Sequence, residues 1–225
     1  MTYCLSDLHG CYRQYRKMLQ KIGFGEQDTL YILGDAVDRG DHGVEILLDI
    51  AARKNAVFLR GNHDVTAAAI LQWWDTSLPP KTDIKALKKG CVLWLSDGGE
   101  PTLSGFLRLN TADRKTVLNL IRRAPYSAEL SVAGRRYHLS HTLPEYEIWQ
   151  KGSRNADFIL GEPDYEIPYD PRKFFVTGHT PTGLIDPAGK GRILKMNRHI
   201  AIDCGAAFGN PLGCICLETG EEFYV

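Results

Sequence analysis

The chain reads Thr29-Leu30-Tyr31-Ile32-Leu33-Gly34-Asp35-Ala36-Val37-Asp38-Arg39-Gly40, an apolar run that passes directly into glycine and two carboxylates. The apolar half predicts a buried strand over Thr29–Leu33. Apolar residues then recur at helical spacing in Val44–Arg53, which predicts a helix. A strand that ends in polar residues and leads into a helix is typical of α/β folds, in which ligands bind at the carboxyl ends of the strands.

The same arrangement occurs on both sides of this segment. Upstream, a short strand at Tyr3–Leu5 leads into Ser6-Asp7-Leu8-His9-Gly10 and then into a helix over Cys11–Ile22. Downstream, a strand at Val57–Leu59 leads into Arg60-Gly61-Asn62-His63-Asp64. Alternation of strand and helix indicates right-handed crossovers and a largely parallel sheet, so the three polar segments should converge at one edge.

The middle of the chain, about residues 65–125, has a different character. We expect a helix through Ala67–Trp74, a break at Pro79-Pro80 and a second break at Gly98-Gly99. We interpret the region as a mainly helical cap beside the site, inserted in a single domain that spans residues 1–225. Core packing is the favoured role of its tryptophans, because buried aromatic side chains mostly fill space. They are Trp73, Trp74 and Trp94.

From Tyr126 onward, short strands separated by glycine-containing turns dominate the pattern. Ala133-Gly134 predicts a hairpin between the first two of these strands. The predicted strands are Ala128–Val132, Arg135–Ser140, Phe174–Thr177, His199–Ile202, Gly213–Leu217 and Glu222–Val225. The segment Leu143–Arg172 has little periodicity, and an irregular loop of this length favours a functional lip over the site.

His141 and His179 each follow a predicted strand and complete a set of metal-binding residue types. Carboxylate, imidazole and amide oxygen together suit divalent first-row metals. A carboxylate such as Asp35 can reach two ions through its two oxygens, and Asn62 adds a neutral oxygen where an anionic substrate must bind. The candidate metal ligands are Asp7, His9, Asp35, Asn62, His141 and His179.

Arg39 and Arg60 adjoin these ligands, and a planar guanidinium suits phosphate. Two metal ions about 3.5–4 Å apart can hold a bridging hydroxide at neutral pH and neutralise phosphoryl oxygens. The sequence contains no Gly-x-Ser-x-Gly motif and no cysteine-based phosphate loop that would favour a covalent phosphoenzyme. The residues therefore favour hydrolysis of a phosphate ester by water.

The bulk composition sets limits on the partners. Of the 225 residues, 44% are hydrophobic, and the 27 basic residues balance the 27 acidic ones. No net charge would attract the chain to nucleic acid or to anionic lipid. Met1–Leu5 has neither a basic region nor a long apolar run, so we expect no signal peptide, no membrane span and a cytoplasmic protein. The six cysteines form no Cys-x-x-Cys pair, and we expect them to be reduced.

Taken together, these segments resemble the calcineurin-like metallophosphoesterases, most closely the phosphoprotein phosphatase branch and its compact bacterial and phage members. The resemblance extends from Ser6 through His179 to Ile202-Asp203-Cys204-Gly205. It implies a four-layer α/β/β/α sandwich with two divalent metal ions, Mn²⁺ first and Fe or Zn as alternatives. It assigns one ion to Asp7, His9 and Asp35, and the other to Asp35, Asn62, His141 and His179.

The same resemblance makes His63 the acid that protonates the leaving oxygen, Asp38 the residue that orients its ring, and Arg39 with Arg60 a phosphate clamp. It implies a phosphoprotein phosphatase that hydrolyses phosphoserine or phosphothreonine, with phosphotyrosine as a further substrate, by in-line attack of a metal-bridging hydroxide. The partner would be a phosphoprotein or phosphopeptide, and the oligomeric state stays open.

Two other readings stay open. Gly61-Asn62-His63-Asp64 ends in Asp where the branch usually has Glu, and this form is common in the symmetrical diadenosine tetraphosphatases. A nucleotide pyrophosphohydrolase is therefore the alternative function, although those enzymes typically lack an acidic residue at the position of Asp38. The third reading, an inactive scaffold, is disfavoured because a binding-only protein has no reason to keep the histidines and the acid.

Overall fold

The computed structural model describes residues 1–75 and 83–225. Two five-stranded sheets lie at its centre, in the orders β10-β9-β1-β2-β3 and β4-β5-β6-β8-β7. The strands are β1 (Thr2–Leu5), β2 (Thr29–Leu33), β3 (Ala56–Leu59), β4 (Ser127–Val132), β5 (Arg135–Ser140), β6 (Lys173–Thr177), β7 (Leu194–Met196), β8 (His199–Ala201), β9 (Gly213–Cys216) and β10 (Glu222–Tyr224). The predicted α/β class is confirmed.

The helices in the described ranges connect and cover these sheets. They are α1 (Tyr12–Lys21), α2 (Gly43–Ala52), α3 (Asn62–Asp75), α4 (Ile84–Trp94), α5 (Glu100–Arg108), α6 (Thr111–Arg123), α7 (Tyr146–Lys151), α8 (Asp157–Leu160) and α9 (Thr182–Ile185). A kinked turn over Leu95–Gly99 joins α4 to α5, and short 3₁₀ turns occupy Pro187–Gly189 and Ala206–Phe208. None of the described helices is both long and apolar enough to cross a membrane.

The first sheet is mixed, whereas the sequence predicted a largely parallel one. β1, β2 and β3 are parallel neighbours, as the two crossovers through α1 and α2 require. β9 and β10 then pair antiparallel at the β1 side. These two strands are joined by a tight turn, and such a hairpin forms an antiparallel pair. The parallel part is therefore limited to the three strands that carry the polar segments.

The second sheet contains the predicted hairpin, with β4 antiparallel to β5. Its centre is parallel, because β5, β6 and β8 run in the same direction. β7, which the sequence pattern did not predict, pairs antiparallel with β8 at the edge. The carboxyl ends of β5 and β6 point toward the same region as those of β1, β2 and β3, since His141 contacts Leu33 at the end of β2 and His179 contacts Asp7 after β1.

Side chains alternate between two cores, as the pleat of a strand requires. In β1, Cys4 belongs to the core between the sheets, while Tyr3 and Leu5 face the helices. Phe175 of β6 joins a third, smaller cluster with residues of the 143–172 segment. The order of layers is therefore helices, first sheet, second sheet, and short helices. This is the four-layer α/β/β/α sandwich that the resemblance implied.

The helices of residues 62–123 pack largely on one another and on α2. Trp94 is 2% exposed, which confirms core packing for that tryptophan, whereas Trp74 is 42% exposed and does not fit the prediction. The break predicted at Pro79-Pro80 lies outside the described residues. α3 begins at Asn62, five residues earlier than predicted, so three motif residues (Asn62, His63 and Asp64) lie in its first turn. The interpretation of this region as an inserted cap stays a prediction.

Candidate metal centre

The loops after five strands are joined by hydrogen bonds at the carboxyl ends of both sheets. The backbone N–H groups of Asp7 and His9 donate to the carbonyls of Gly34 and Asp35, at 3.1 and 2.9 Å. The N–H of His179 donates to the Asp7 carboxylate at 3.0 Å, and so joins the second sheet to the first. All six predicted metal ligands therefore lie in one connected group of loops.

Glycine allows these loops to approach so closely. Gly34 has a φ of +86°, and a Cβ there would lie 2.6 Å from Gly61. At Gly178, an added Cβ would overlap the Asp7 carboxylate. No residue with a side chain fits at either position unless the backbone shifts, so these two glycines of the motifs serve the packing of the loops around the site.

Several site residues have a left-handed backbone that residues other than glycine seldom adopt. Of the nine non-glycine residues with positive φ in the described ranges, six belong to the predicted site: Asp7, His9, Asp35, Asp38, Arg39 and His179. Such conformations are unfavourable and persist where the surrounding structure enforces them, commonly at functional sites. Here they turn side chains of successive residues toward one centre.

The histidine rings are held so that one nitrogen of each faces this centre. Nδ1 of His9 lies 2.8 Å from the carbonyl oxygen of Val37, and Nδ1 of His141 lies 2.8 Å from that of Leu33. A ring that donates Nδ1–H to a carbonyl presents the lone pair of Nε2, which is the usual arrangement of a metal-ligating histidine. The backbone of β2 and its loop thus fixes both rings.

Ligand atoms converge on two places that share one carboxylate. Nε2 of His141, Nδ1 of His179 and Oδ1 of Asn62 lie 2.9–3.1 Å from one another. Asp35 belongs with His141 and His179 to one metal-compatible group, and with His9 and His63 to a second. The second group contains the predicted acid His63 and not Asp7, whose carboxylate accepts the hydrogen bond from the His179 N–H. Nitrogen and oxygen ligand atoms at this spacing are of the types that bind divalent first-row cations. The donor set therefore fits a dinuclear site bridged by Asp35.

The electrostatics of the buried groups agree with a cation site. Burial opposes charge on Asp35, but the neighbouring His141 holds the pKa of this carboxyl well below its usual value. Burial also disfavours charge on His141, yet Asp35 raises the pKa of His141 to about 10. Burial lowers the pKa of His9 and of His179 to about 4. The lowered pKa favours the neutral, metal-binding form of those two rings, whereas His141 would release a proton when it binds a metal.

His63 is held by a network that sequence reasoning found only in part. Its Nδ1 lies 2.7 Å from the Asp38 carboxylate, as predicted for an oriented ring. Asp38 also accepts hydrogen bonds from Trp94 Nε1 and Thr102 Oγ1, both at 2.8 Å. Burial lowers the pKa of His63, but the bond to Asp38 and the charge of Asp35 outweigh it and raise this pKa. Trp94 and Thr102 were missed as site residues because nothing in the motifs pairs them with Asp38.

The two predicted clamp arginines lie in different places. Arg39 Nη1 and Nη2 lie 2.6 and 3.0 Å from Nε2 of His9 and His63, so this guanidinium faces the candidate centre. The guanidinium of Arg60 instead donates to the carbonyls of Ala124 and Arg122 at the end of α6 and to the hydroxyl of Tyr126. The geometry therefore favours Arg39 for the clamp over Arg60, because the donors of Arg60 already stabilise a helix end.

Two further acidic residues surround the centre. Both oxygens of Asp64 accept backbone hydrogen bonds, which come from Gly61, Asp35 and Ala36. Burial, with Asp35 nearby, raises the pKa of Asp64 to about 7. Asp203, after β8, is buried close enough to Asp7 that burial and this charge raise its pKa well above the usual value. The sequence signal for Asp64 was its place in the third motif. The signal for Asp203 was its place in Ile202-Asp203-Cys204-Gly205, the last segment of the family resemblance.

Comparison with known proteins identifies the family. The model of the calcineurin-like phosphoesterases matches residues 2–183, most of the chain. The chain belongs to this family. It is accordingly a hydrolase of the metallophosphoesterase type, and divalent metal ions are the cofactors of the family. A crystal structure described as that of a candidate diadenosine tetraphosphatase superposes over 100% of this chain and 92% of its own, with a TM-score of 0.61 at 15% identity. At that identity the likeness concerns the fold.

Two curated relatives are named as bis(5'-nucleosyl)-tetraphosphatases, one asymmetrical and one symmetrical. The asymmetrical bis(5'-nucleosyl)-tetraphosphatase PrpE of Bacillus velezensis is 28% identical over 92% of this chain and 85% of its own length. The symmetrical bis(5'-nucleosyl)-tetraphosphatase of Proteus mirabilis is 42% identical over 74% of this chain. The aligned region covers 54% of that relative, so the chain spans about half of its length.

These relatives overturn the main functional prediction. The prediction of a phosphoserine and phosphothreonine phosphatase, with a phosphoprotein partner, is wrong, because the relatives are named for dinucleoside tetraphosphates. The argument from Asp38 failed for a physical reason. Asp38 orients His63 through a 2.7 Å contact, which is useful for any phosphoester and says nothing of the group that the phosphate carries.

Proposed function

We propose that this chain is a metal-dependent bis(5'-nucleosyl)-tetraphosphatase, which hydrolyses a phosphoanhydride bond of a dinucleoside polyphosphate. The observation that carries the proposal is the similarity to two relatives of that name, one aligned over 92% of this chain. The phosphatase-like motifs supply the hydrolytic groups and leave the substrate unspecified. The proposed substrate is therefore a dinucleoside polyphosphate in place of a phosphoprotein, and the proposed reaction is still metal-dependent attack of water on phosphorus.

Six residues would hold two divalent metal ions. Asp35 would be shared, Asp7 and His9 would complete one ion's protein ligands, and Asn62, His141 and His179 those of the other. Nitrogen and oxygen donors in this mixture suit Mn²⁺, which we propose ahead of Fe or Zn. When bound, such ions supply a water-derived nucleophile at neutral pH and positive charge for the phosphoryl oxygens.

His63 and Arg39 would act on the substrate directly. The raised pKa of His63 keeps more of the ring protonated near neutrality, so that Nε2 can donate a proton to the leaving phosphate oxygen. Asp38 would position this ring through the contact to Nδ1. The guanidinium of Arg39 lies against Nε2 of His9 and of His63 in this structure. It would turn from these nitrogens to bind a phosphate of the polyphosphate chain, which frees Nε2 of His9 for an ion and Nε2 of His63 for its proton.

The experiment is hydrolysis of diadenosine tetraphosphate by the purified, Mn²⁺-loaded protein, with the products separated by ion-exchange chromatography. Two molecules of ADP indicate symmetrical cleavage, and ATP with AMP indicates asymmetrical cleavage. The same protein stripped with EDTA is the control and should be inactive until Mn²⁺ is returned. Absence of both product pairs from loaded protein that still hydrolyses p-nitrophenyl phosphate would contradict the proposed function.

A further inference from the structure

A cavity of about 430 Å³ opens directly beside the candidate metal centre. Arg39 and His179 form its wall on the side of the centre. Its other walls come from two segments that the mechanism does not use, the α9 region and the turn after β8, which contribute Leu184, Lys190, Phe208 and Asn210. Sites of this size accommodate small organic ligands.

Two apolar side chains are exposed at this cavity. Leu184 is 78% exposed and Phe208 is 61% exposed. Phe208 ends a short turn between Gly205 and Gly209, whose φ values are +82° and +81°. The N–H of Phe208 donates to the carbonyl of Gly205 at 2.9 Å, which fixes the turn. The aromatic ring is thus held outward by its backbone, although burial would be favourable.

Two cationic side chains, Arg39 and Lys190, lie beside these apolar groups. The guanidinium carbon of Arg39 lies 5.2 Å from the centre of the Phe208 ring. The stem of Lys190 passes 3.0 Å from where a Cβ on Gly183 would lie, so this glycine gives it room. Within residues 1–75 and 83–225, the Lys190 ammonium has no hydrogen bond or ion pair. The cavity therefore combines an aromatic face with one unpaired cation and a shared guanidinium.

We propose that this cavity binds one nucleoside end of the substrate, with the base stacked on Phe208 and against Leu184, and Lys190 on the adjoining phosphates. Aromatic surface next to positive charge matches a nucleotide, because a base has a flat apolar face and its phosphates are anionic. Arg39 links the cavity to the centre, so a nucleotide bound here has its phosphate chain directed toward the metal ligands. The inference rests on the proposed function and extends it to the residues that recognise the nucleoside.

The test compares two non-hydrolysable probes by isothermal titration calorimetry on the Mn²⁺-loaded protein. α,β-Methylene-ADP carries adenosine, and methylenediphosphonate is the same diphosphonate without it. We expect Phe208→Ala to weaken the binding of α,β-methylene-ADP about tenfold or more, the range expected for a lost base stack. Phe208→Trp should keep the wild-type affinity. The affinity for methylenediphosphonate should change less than twofold in both variants.

A matched pair of leucines controls for general loss of apolar surface. Leu184 and Leu160 both lie on four-residue helices and are 78% and 64% exposed, but Leu160 is not part of this cavity. Leu184→Ala should weaken the binding of α,β-methylene-ADP severalfold, and Leu160→Ala should not alter this affinity. Equal losses for both probes in Phe208→Ala would mean that the ring only positions Arg39, and would overturn the inference.

The cavity and the proposed activity can fail separately. Wild-type protein that cleaves diadenosine tetraphosphate but binds both probes alike, with no effect of Phe208→Ala, overturns the cavity assignment alone. Wild-type protein that prefers α,β-methylene-ADP through Phe208 but does not cleave diadenosine tetraphosphate supports the cavity and contradicts the proposed activity.

Discussion

The loop after β2, residues 34–40, and the loop after β3, residues 60–64, carry similar chemistry but use it differently. Asp35, Asp38 and Arg39 of the β2 loop all have positive φ and all face the candidate centre or its histidines. The polar side chains of the β3 loop fall into two groups. Asn62 and His63 face the centre, whereas Arg60 and Asp64 bind backbone groups of neighbouring segments.

The difference lies in the backbone at each arginine. Arg39 has a φ of +68°, and its N–H donates to Gly98, which brings its side chain back over the centre. The N–H of Arg60 donates to Pro125 at 3.1 Å, which aligns this residue with the segment after α6 and places its guanidinium on the helix end. Membership of a motif therefore places a residue near the site, and backbone conformation determines which way a long side chain points.

The largest difference between the loops should appear at their carboxylates. Asp35→Asn should abolish metal binding and reduce activity by more than about 10²-fold, since even the loss of an outer hydrogen-bond partner costs about 10–100-fold. Asp64→Asn should mainly lower stability, because its amide group would face backbone N–H donors. Metal content by elemental analysis and urea unfolding separate the two. Equal loss of metal in both variants, each still folded, would mean that Asp64 supports metal binding as much as Asp35 does, and would contradict the proposed difference between the loops.

The arginines should differ next. Arg39→Ala should reduce kcat/KM for diadenosine tetraphosphate by about 10²-fold, within the range for a lost donor to transition-state charge. Arg60→Ala should leave kcat/KM within about twofold, because its donors are used at α6. Steady-state kinetics at saturating Mn²⁺ provide the comparison. A comparable loss in Arg60→Ala, in protein that unfolds at the wild-type urea concentration, would restore Arg60 to the clamp.

A third prediction concerns the dyad that bridges the loops. Asp38→Asn should reduce kcat by about 10–100-fold, a part of the roughly 10²–10⁴-fold that a positioned general acid contributes. Because burial alone would lower the pKa of His63 and Asp38 raises it, the acid form should now be lost at lower pH. The alkaline limb of the kcat profile should move toward lower pH. Thr102→Val, which removes one hydrogen bond to Asp38, should shift the alkaline limb less than Asp38→Asn does. An alkaline limb that does not move in Asp38→Asn would mean that His63 is not the acid.

The smallest effect should be a change of stability at Arg60. Arg60→Ala removes two hydrogen bonds to carbonyls at the end of α6, one to the Tyr126 hydroxyl, and a guanidinium whose carbon lies 4.6 Å from the centre of the Tyr126 ring. We expect a loss of about 1–3 kcal/mol in the free energy of unfolding, since these groups are partly exposed. Urea unfolding measures it, with Arg13→Ala on α1 as a surface control. A variant as stable as wild type would mean that these contacts contribute nothing in solution.

Much of the fold could be predicted because local pattern and topology agree. β2 matches its predicted bounds, and β1, β3 and the hairpin strand β4 each begin one residue earlier than predicted. Apolar runs bounded by glycine and polar residues specify such strands. Convergence of the ligand residues also followed from sequence, because carboxyl ends of neighbouring parallel strands meet. The short strand β7 and helices α7 to α9 offered too few residues for a periodic signal.

Features that depend on distant contacts could not be predicted. Trp94 and Thr102 reach Asp38 across 56 and 64 residues of sequence, and no local pattern encodes such a bond. The direction of Arg60 depends on where α6 ends. The substrate class could not be predicted for another reason. The motifs specify only the hydrolytic centre, whereas the substrate is selected by surfaces outside them, such as the one that we propose around Phe208 and Leu184.

The central claim is that the shared centre acts on a dinucleoside polyphosphate. The most direct test is kcat/KM of the Mn²⁺-loaded wild-type protein for diadenosine tetraphosphate and for a phosphoserine peptide, measured in the same buffer by release of nucleotide and of phosphate. We predict a preference for diadenosine tetraphosphate of at least about 10²-fold, because only that substrate brings both a phosphate chain and a base. Equal values, or a preference for the peptide, would contradict the account.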